Sequence, residues 1–199
     1  MSCKEEFIEI FKEKVTRPGA DALLNYLENK SDFFTAPASA RYHLACEGGL
    51  CEHSLNVYHC LVDYLQRERV QELYGLEYSE ESVAVVALLH DLCKANFYKV
   101  STRNVKNEET GSWEKVPYYA VEDQFPYGHG EKSVYLIERF LRLKPSEAMA
   151  IRWHMGGFDD AVRGGSFALS LAFEKYPLAV KMHLADLEST YLREHHTSA

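Results

Sequence analysis

The sequence lacks long hydrophobic runs, a basic excess and paired cysteine motifs, and each absence excludes a class of protein. No apolar stretch approaches the roughly 20 residues that a membrane-spanning helix needs. The charged N-terminus, MSCKEEFIEIFKEK, has no apolar segment typical of a secretory signal. The five cysteines form no CxxC pair, and their odd number favours free thiols in a reducing compartment. We therefore expect a cytoplasmic protein without a membrane partner.

The charge balance weighs against broad binding to nucleic acid. The chain has 30 acidic and 22 basic residues and a formal net charge of −8, whereas neutralising a phosphate backbone requires a basic face. Its 199 residues, 46% of them hydrophobic, are enough to bury one complete core. We expect a single domain over residues 1–199. A small ligand is favoured over a polymer, although a local basic pocket is compatible with this composition.

Residues 83–94, VAVVALLHDLCK, form the stretch around which the rest is organised. A serine and two acidic residues at 79–81 are typical of a helix start, and apolar residues on nearly every side predict a buried helix. That helix would carry His90 and Asp91 into the interior. Because burying an unpaired charge is costly, we expect Asp91 to meet a cation there, and a divalent metal ion is the natural candidate.

The remaining pattern is helical with one exception. Apolar spacing predicts helices over 4–15, 20–28, 50–73 and 131–143, a helix that ends with His154, and a last helix from Pro177. Two segments rich in β-branched and aromatic residues, 97–105 and 113–121, predict a β-hairpin. The sequence thus predicts an all-α bundle with helices of residues 4–29 packed on it and a hairpin inserted at about 97–121. The hairpin is either a lid over a site or a surface insertion.

Six metal-competent side chains fall on these predicted helices or at their ends: His53, His90, Asp91, His129, His154 and Asp186. Neutral imidazoles and carboxylates suit a first-row divalent ion such as Mn, Fe, Ni, Co or Zn. Each histidine alone has an ordinary alternative: His53 in the core, His129 bonding backbone at a helix start, and His154 capping a helix end. The ordered set, rather than any member, favours a metal centre.

The order His53 … His90-Asp91 … Asp186 resembles the H…HD…D ligand pattern of the HD-domain phosphohydrolase superfamily. HDLCK also matches the HDxxK form of that motif, with Lys94 in the lysine position. The resemblance implies a helical, metal-dependent phosphohydrolase in which Asp91 and Lys94 are catalytic. Lys94 would neutralise substrate phosphate; the alternative is a cation that satisfies a helix C-terminus.

The resemblance covers residues 43–192, most of the chain, and extends to further histidines. His129 and His154 are similar to the additional ligands of members that hold two metal ions rather than one. The segment GGLCEHSLNV is similar to the HD portion of bacterial 3′–5′ exoribonucleases, although the residues ahead of it are predicted to be helical rather than an OB domain. The resemblance therefore implies one or two divalent ions, with Asp91 bridging the pair if two are bound.

Four further residues are candidates for substrate contact. Arg41 and His43 lie in an aperiodic loop just ahead of the GGLCEH segment, and Arg152 and Arg163 flank His154. A guanidinium matches a phosphate bidentately, but each of these residues is also typical of an ordinary exposed surface.

Three classes of function are compatible with the sequence. The favoured class is a phosphohydrolase that uses a metal-activated water to cleave a phosphoester of a nucleotide or similar small molecule. The second is a 3′–5′ exonuclease or phosphodiesterase on nucleic acid, which a deep basic groove would favour. The third is a non-catalytic metal-binding or nucleotide-binding module, which divergent ligands or a plugged pocket would favour.

Overall fold

The computed structural model describes residues 1–194 as a helical bundle with one β-hairpin. The helices are α1 Cys3–Lys14, α2 Ala20–Asn29, α3 Gly49–Leu65, α4 Glu68–Tyr74, α5 Glu80–Leu89, α6 His129–Glu138, α7 Pro145–Arg152, α8 Asp160–Arg163, α9 Ala168–Lys175 and α10 Pro177–Glu188. The hairpin pairs β1 Tyr98–Lys106 with β2 Trp113–Val121 in antiparallel register. Short 3₁₀ turns occupy Leu92–Lys94 and Gly156–Phe158, and the π-helix Ser189–Arg193 extends α10. The predicted all-α class with an inserted hairpin is confirmed.

Helix α5 lies at the centre of the bundle, as its apolar sequence predicts. Every residue from Ser82 to Leu89 is buried, and α5 packs against α1, α3 and α7. The predicted single helix over 83–94 is wrong in one respect. The α-helix ends at Leu89, and Asp91 leaves helical geometry (φ −102°, ψ 20°) before the 3₁₀ turn. This break lets Lys94 fold back toward Asp91.

Two other predicted helices also end differently. The helix expected over 50–73 is divided into α3 and α4, because residues 66–69 are all polar and Arg67 adopts an extended backbone. The helix expected over 131–143 begins at His129 and ends at Glu138, whose carboxylate accepts a hydrogen bond from the Leu143 N–H at 2.7 Å. The first change is on the surface, whereas the second places His129 in the first turn of α6.

The N-terminal helices share the hydrophobic core with the rest of the bundle. Phe7 and Phe11 of α1 are fully buried there. At the start of α2, Gly19 has a φ of +95°, and a Cβ at this position would lie 1.9 Å from the carbonyl oxygen of Phe140. Only glycine fits this close approach. A single domain over residues 1–199 stays a prediction. No helix within residues 1–194 is long and apolar enough to cross a membrane.

Candidate metal centre

The structure brings the six predicted metal-competent residues together at one end of α5. His53 extends from α3, His90 and Asp91 follow α5, and Asp186 extends from α10. The Nε2 atom of His53 lies 3.2 Å from His90 Nε2 and 3.4 Å from both Asp91 Oδ2 and Asp186 Oδ1. These four side chains form one half of the centre.

The other half is formed by His129 and His154, which face the second oxygen of Asp91. His129 Nε2 lies 2.9 Å from Asp91 Oδ1, and His154 Nε2 lies 3.4 Å from the same atom. On the opposite side, Asp91 Oδ2 lies 3.4 Å from His90 Nε2. The carboxylate of Asp91 therefore lies between two groups of metal-competent side chains, with one oxygen facing each group.

Hydrogen bonds on the far side of three rings fix their orientation. The Nδ1–H of His90 donates to the Ala87 carbonyl at 2.8 Å, and that of His154 donates to the Ile151 carbonyl at 2.6 Å. His53 Nδ1 lies 2.9 Å from a carboxylate oxygen of Glu194. In the neutral form of each ring, the Nε2 lone pair is thereby directed into the centre, which is the arrangement found in metal-binding histidines.

The donor set fits a divalent cation. His154 Nε2 is buried and has no hydrogen-bond partner within the described residues. Several sets of three donor atoms lie within 4.8 Å of one another, including His53/His90/Asp186 and His90/Asp91/His154. A buried acceptor left unpaired is costly, and a cation offers a partner both to this atom and to the carboxylates around it.

In the centre, the negative charges of the carboxylates and the positive charges of nearby histidines and Lys94 stabilise one another. Burial disfavours the charged form of Asp91, but Lys94, His90 and His129 outweigh burial and hold the pKa of this carboxyl well below its usual range. Burial also opposes the His53 imidazolium, yet hydrogen bonds to Asp186, Asp91 and Glu194 raise its pKa. A bound cation would neutralise the carboxylates in place of the imidazolium protons, and these protons would be released.

A cavity of about 680 Å³ opens onto the centre, a size typical of small-molecule sites. Lys94 lies on its wall, with Nζ 2.7 Å from Asp91 Oδ2. The lining also includes aromatic side chains and further groups able to carry positive charge: Tyr42, His43, Tyr98, Phe158, Arg163, His183 and Tyr191. The cavity thus offers cationic and aromatic contacts beside the predicted metal ligands. Tyr98 belongs to the hairpin base, while the lid function of the hairpin stays a prediction.

The structure brings only some of the predicted substrate-contact residues to this cavity. Lys94, His43 and Arg163 line it, whereas Arg41 lies in a neighbouring groove. Arg152 is held elsewhere: its guanidinium pairs with Asp159 at 2.7 Å and with Glu131, and stacks on the Trp153 ring. The expectation that Arg152 contacts substrate is therefore not supported by its position.

Several residues of the site were not candidates from the sequence, including Cys93, whose Sγ lies 3.4 Å from His129 Nδ1, and the aromatic residues Tyr98 and Phe158 of the cavity wall. His183 lines the cavity and lies against Gly156, whose φ is +53° and where a Cβ would come within 2.4 Å of the imidazole. Its spacing of three residues from Asp186 on α10 was an available signal, because residues i and i+3 share a helix face. Glu194 had no such signal, because a π-helix separates it from α10.

The helical bundle and the cluster of histidines and aspartates define a class of helical domain with donor atoms suited to a metal ion. The HD domain family model matches residues 50–189, and the chain belongs to this family. It is also similar to the dihydroneopterin 2′,3′-cyclic phosphate phosphodiesterase of Methanocaldococcus jannaschii, with 33% identity over 97 residues. That match covers 48% of this chain and 35% of the relative, so the chain spans about a third of the relative's length. No solved structure matches the chain significantly.

Proposed function

We propose that this protein is a metal-dependent phosphohydrolase that cleaves a phosphoester of a nucleotide or similar small molecule. The observation that carries the proposal is the position of Asp91. One oxygen faces His53 and His90 and the other faces His129 and His154, with Lys94 alongside at the cavity wall. This is a shared carboxylate between two ligand groups, next to a cation suited to phosphate.

We assign His53, His90, Asp91 and Asp186 to one metal site and His129 and His154 to a second, with Asp91 common to both. When bound, divalent ions such as Mn, Fe, Ni, Co or Zn supply Lewis acidity and lower the pKa of water. The residues of the chain hold these ions, keep the imidazole lone pairs inward and exclude bulk water from the buried side.

Lys94 is the candidate for holding the substrate phosphoryl group. Burial disfavours its ammonium, but Asp91 and Tyr98 outweigh burial and raise the pKa of Lys94, so the amine stays charged. Arg163 at the cavity wall adds donors for phosphate or sugar oxygens. His43, whose Nδ1 contacts Glu194, offers Nε2 as an acceptor for a hydroxyl of the substrate. The aromatic rings of Tyr98 and Phe158 offer surfaces for a planar base.

The named activity of the relative supports the class of substrate. A dihydroneopterin 2′,3′-cyclic phosphate is a phosphodiester attached to a planar heterocycle, and the cavity combines aromatic and cationic walls. We propose that the substrate of this chain has the same two parts, a phosphoester and a planar base.

The test is hydrolysis by protein loaded with Mn²⁺, Co²⁺ or Ni²⁺, on nucleoside 2′,3′-cyclic phosphates and nucleoside monophosphates. We expect phosphoester cleavage that the metal-free protein lacks and that Asp91→Asn abolishes. If the protein binds these nucleotides but hydrolyses none of them, the proposed enzymatic function is contradicted and a non-catalytic binding module is favoured. All six predicted ligands converge, however, which is the arrangement that favours catalysis.

A second candidate function, cleavage of a polynucleotide end, is favoured by one observation. A groove of about 690 Å³ runs between the hairpin and the loop at residues 40–45, and Arg41 and Arg103 are the charged residues that line it. Tyr118 and Tyr119 lie in the same groove, which meets the main cavity at Ala40. Bases stack on aromatic rings while cations follow the phosphates in single-strand sites. Faster cleavage of a short oligonucleotide than of a mononucleotide, lost in Arg103→Gln, would support this function.

A further inference from the structure

The carboxylate of Glu194 lies behind the metal centre and is outside the predicted ligand set. It follows the π-helix Ser189–Arg193, and its N–H donates to the Ser189 carbonyl at 3.0 Å. This wider turn directs the side chain back into the bundle, where it is fully buried. A buried carboxylate is costly unless its oxygens are satisfied, so its partners indicate why it is there.

Two imidazoles share this one carboxylate. Glu194 Oε1 accepts hydrogen bonds from His53 Nδ1 at 2.9 Å, Ser189 Oγ at 2.7 Å and Asn56 Nδ2 at 3.2 Å. Glu194 Oε2 contacts His43 Nδ1. The rings of His43 and His53 lie 4.8 Å apart, centroid to centroid. His53 then faces Asp91 and Asp186, whereas His43 lines the substrate cavity.

We propose that Glu194 is a positioning residue that orients His53 for metal binding and His43 for substrate binding. The part concerning His43 rests on the proposed function, whereas the part concerning His53 requires only that a metal binds. Because the carboxylate only accepts hydrogen bonds, each ring must present its proton at Nδ1. In the neutral ring that binds a metal, Nε2 of His53 is thereby left as an acceptor directed into the centre.

Glu194 is better placed to orient the two rings than to bind an ion of its own. His43, His53 and Glu194 do offer three close donor atoms. However, a cation at this position would have to replace the Nδ1 protons through which His43 and His53 donate hydrogen bonds to Glu194. It would also lie beside the Asn56 amide and the Ser189 hydroxyl, which already donate to Oε1. The hydrogen-bond pattern is that of a support for ligands.

The experiment compares three variants of the full chain by calorimetric titration with Mn²⁺ and by steady-state kinetics at saturating Mn²⁺. Glu194→Gln keeps the shape of the side chain but removes the charge that both Nδ1–H groups require. We expect its Mn²⁺ affinity to fall about 10–100-fold and its KM to rise. His43→Gln should raise KM alone, with Mn²⁺ affinity unchanged. Glu188→Gln, at the end of α10 with a half-exposed side chain near Arg67, is the matched control and should match wild type in both.

Thermal unfolding of the metal-free variants separates positioning from folding. If Glu194→Gln is less folded, Glu194→Asp, which keeps the negative charge, replaces it and should retain more Mn²⁺ affinity than the Gln variant. Wild-type Mn²⁺ affinity in a folded Glu194→Gln protein would overturn the proposal. A loss of Mn²⁺ affinity in Glu188→Gln as large as that in Glu194→Gln would also overturn it. If no substrate is hydrolysed by wild type and Glu194→Gln still loses Mn²⁺ affinity, the proposed function fails while the orientation of His53 by Glu194 stands.

Discussion

The Nε2 atom of His154 lies 3.4 Å from Asp91 Oδ1, is buried, and donates or accepts no hydrogen bond within residues 1–194. Its Nδ1–H is already committed to the Ile151 carbonyl, so the unpaired atom is an acceptor directed at the centre. Burial further lowers the pKa of His154 and favours the neutral ring. A neutral imidazole with a free lone pair beside a carboxylate is suited to a metal ion, and the first prediction concerns this residue.

Changing His154 to alanine should remove one of the two ions and leave the fold intact. The reason is that this half of the centre would lose one of its imidazoles and keep His129 and Asp91, with the Cys93 thiol beside them. Metal content should fall from about two ions per chain to about one, with reduced activity and unchanged circular dichroism. His59→Ala is the control, because His59 pairs with Glu6 on the surface of α3, away from the centre. Loss of folding in His154→Ala alone would show a structural role.

Changing Asp91 to asparagine should affect both halves of the centre. An amide keeps the size of the side chain but lacks the charge that the two ligand groups share. We expect hydrolysis to fall by more than about 100-fold and Mn²⁺ affinity to fall with it, since even supporting residues cost 10–100-fold. Equilibrium dialysis with Mn²⁺ and the hydrolysis assay are the measurements. A variant that keeps two ions would contradict the bridging position of Asp91.

Changing Lys94 to glutamine should weaken substrate binding without removing metal. A charge-assisted hydrogen bond to phosphate contributes about 1.5–3 kcal/mol, so kcat/KM should fall roughly 10- to 150-fold. The metal content should match wild type, because an ammonium is not a ligand. Lys12→Gln, on the exposed side of α1, provides the control. Unchanged kinetics would assign Lys94 to the stability of the turn after α5.

A pH-dependent contribution to stability is expected from Glu147, far from the metal centre. Its buried carboxylate accepts hydrogen bonds from Arg17 at 2.7 and 2.8 Å and from Ser82 Oγ at 2.7 Å. Burial raises the pKa of Glu147, but Arg17, the Lys144 N–H and Ser82 outweigh it and lower the pKa below 4.5. The stabilisation is therefore complete above pH 4.5 and is lost as the pH falls toward the lower folded-state pKa.

The measurement is urea unfolding of wild type and Glu147→Gln from pH 7 to pH 3. At pH 7 the variant should be less stable by roughly 1.5–3 kcal/mol, the range for a hydrogen bond to a charged group, because Arg17 loses its buried partner and keeps Glu81, 3.2 Å away. The difference should shrink below pH 4.5. Glu13→Gln, whose side chain is 63% exposed, should show neither effect. A difference that stays constant with pH would contradict the lowered pKa.

The sequence was most informative where residue type and helical periodicity agreed. Asp91 was predicted to be buried because an apolar helix precedes it, and the structure buries it. The hairpin was predicted from β-branched and aromatic residues around a polar turn. In each case a local pattern is tied to burial, so a single sequence is enough to place the element.

Long-range pairing and local breaks in helices were not predictable in the same way. The sequence around Arg152 does not show whether its guanidinium binds a phosphate or, as in the structure, pairs with Asp159. Glu194 reaches His53 because a π-helix changes the direction of the chain, and no periodicity signals that turn. The end of α5 at Leu89 was not predicted, because residues 83–94 contain no glycine or proline that would signal a helix end.

Metal content per chain tests the central claim most directly. The protein would be purified without chelators or an immobilised-metal column and examined by elemental analysis. We predict about two divalent ions per chain, shared through Asp91. A measured content of about one ion per chain would indicate that His129 and His154 are not metal ligands and would favour an enzyme with a single metal ion. No bound ion, even after Mn²⁺ or Ni²⁺ is added back, would contradict the metal-dependent hydrolase.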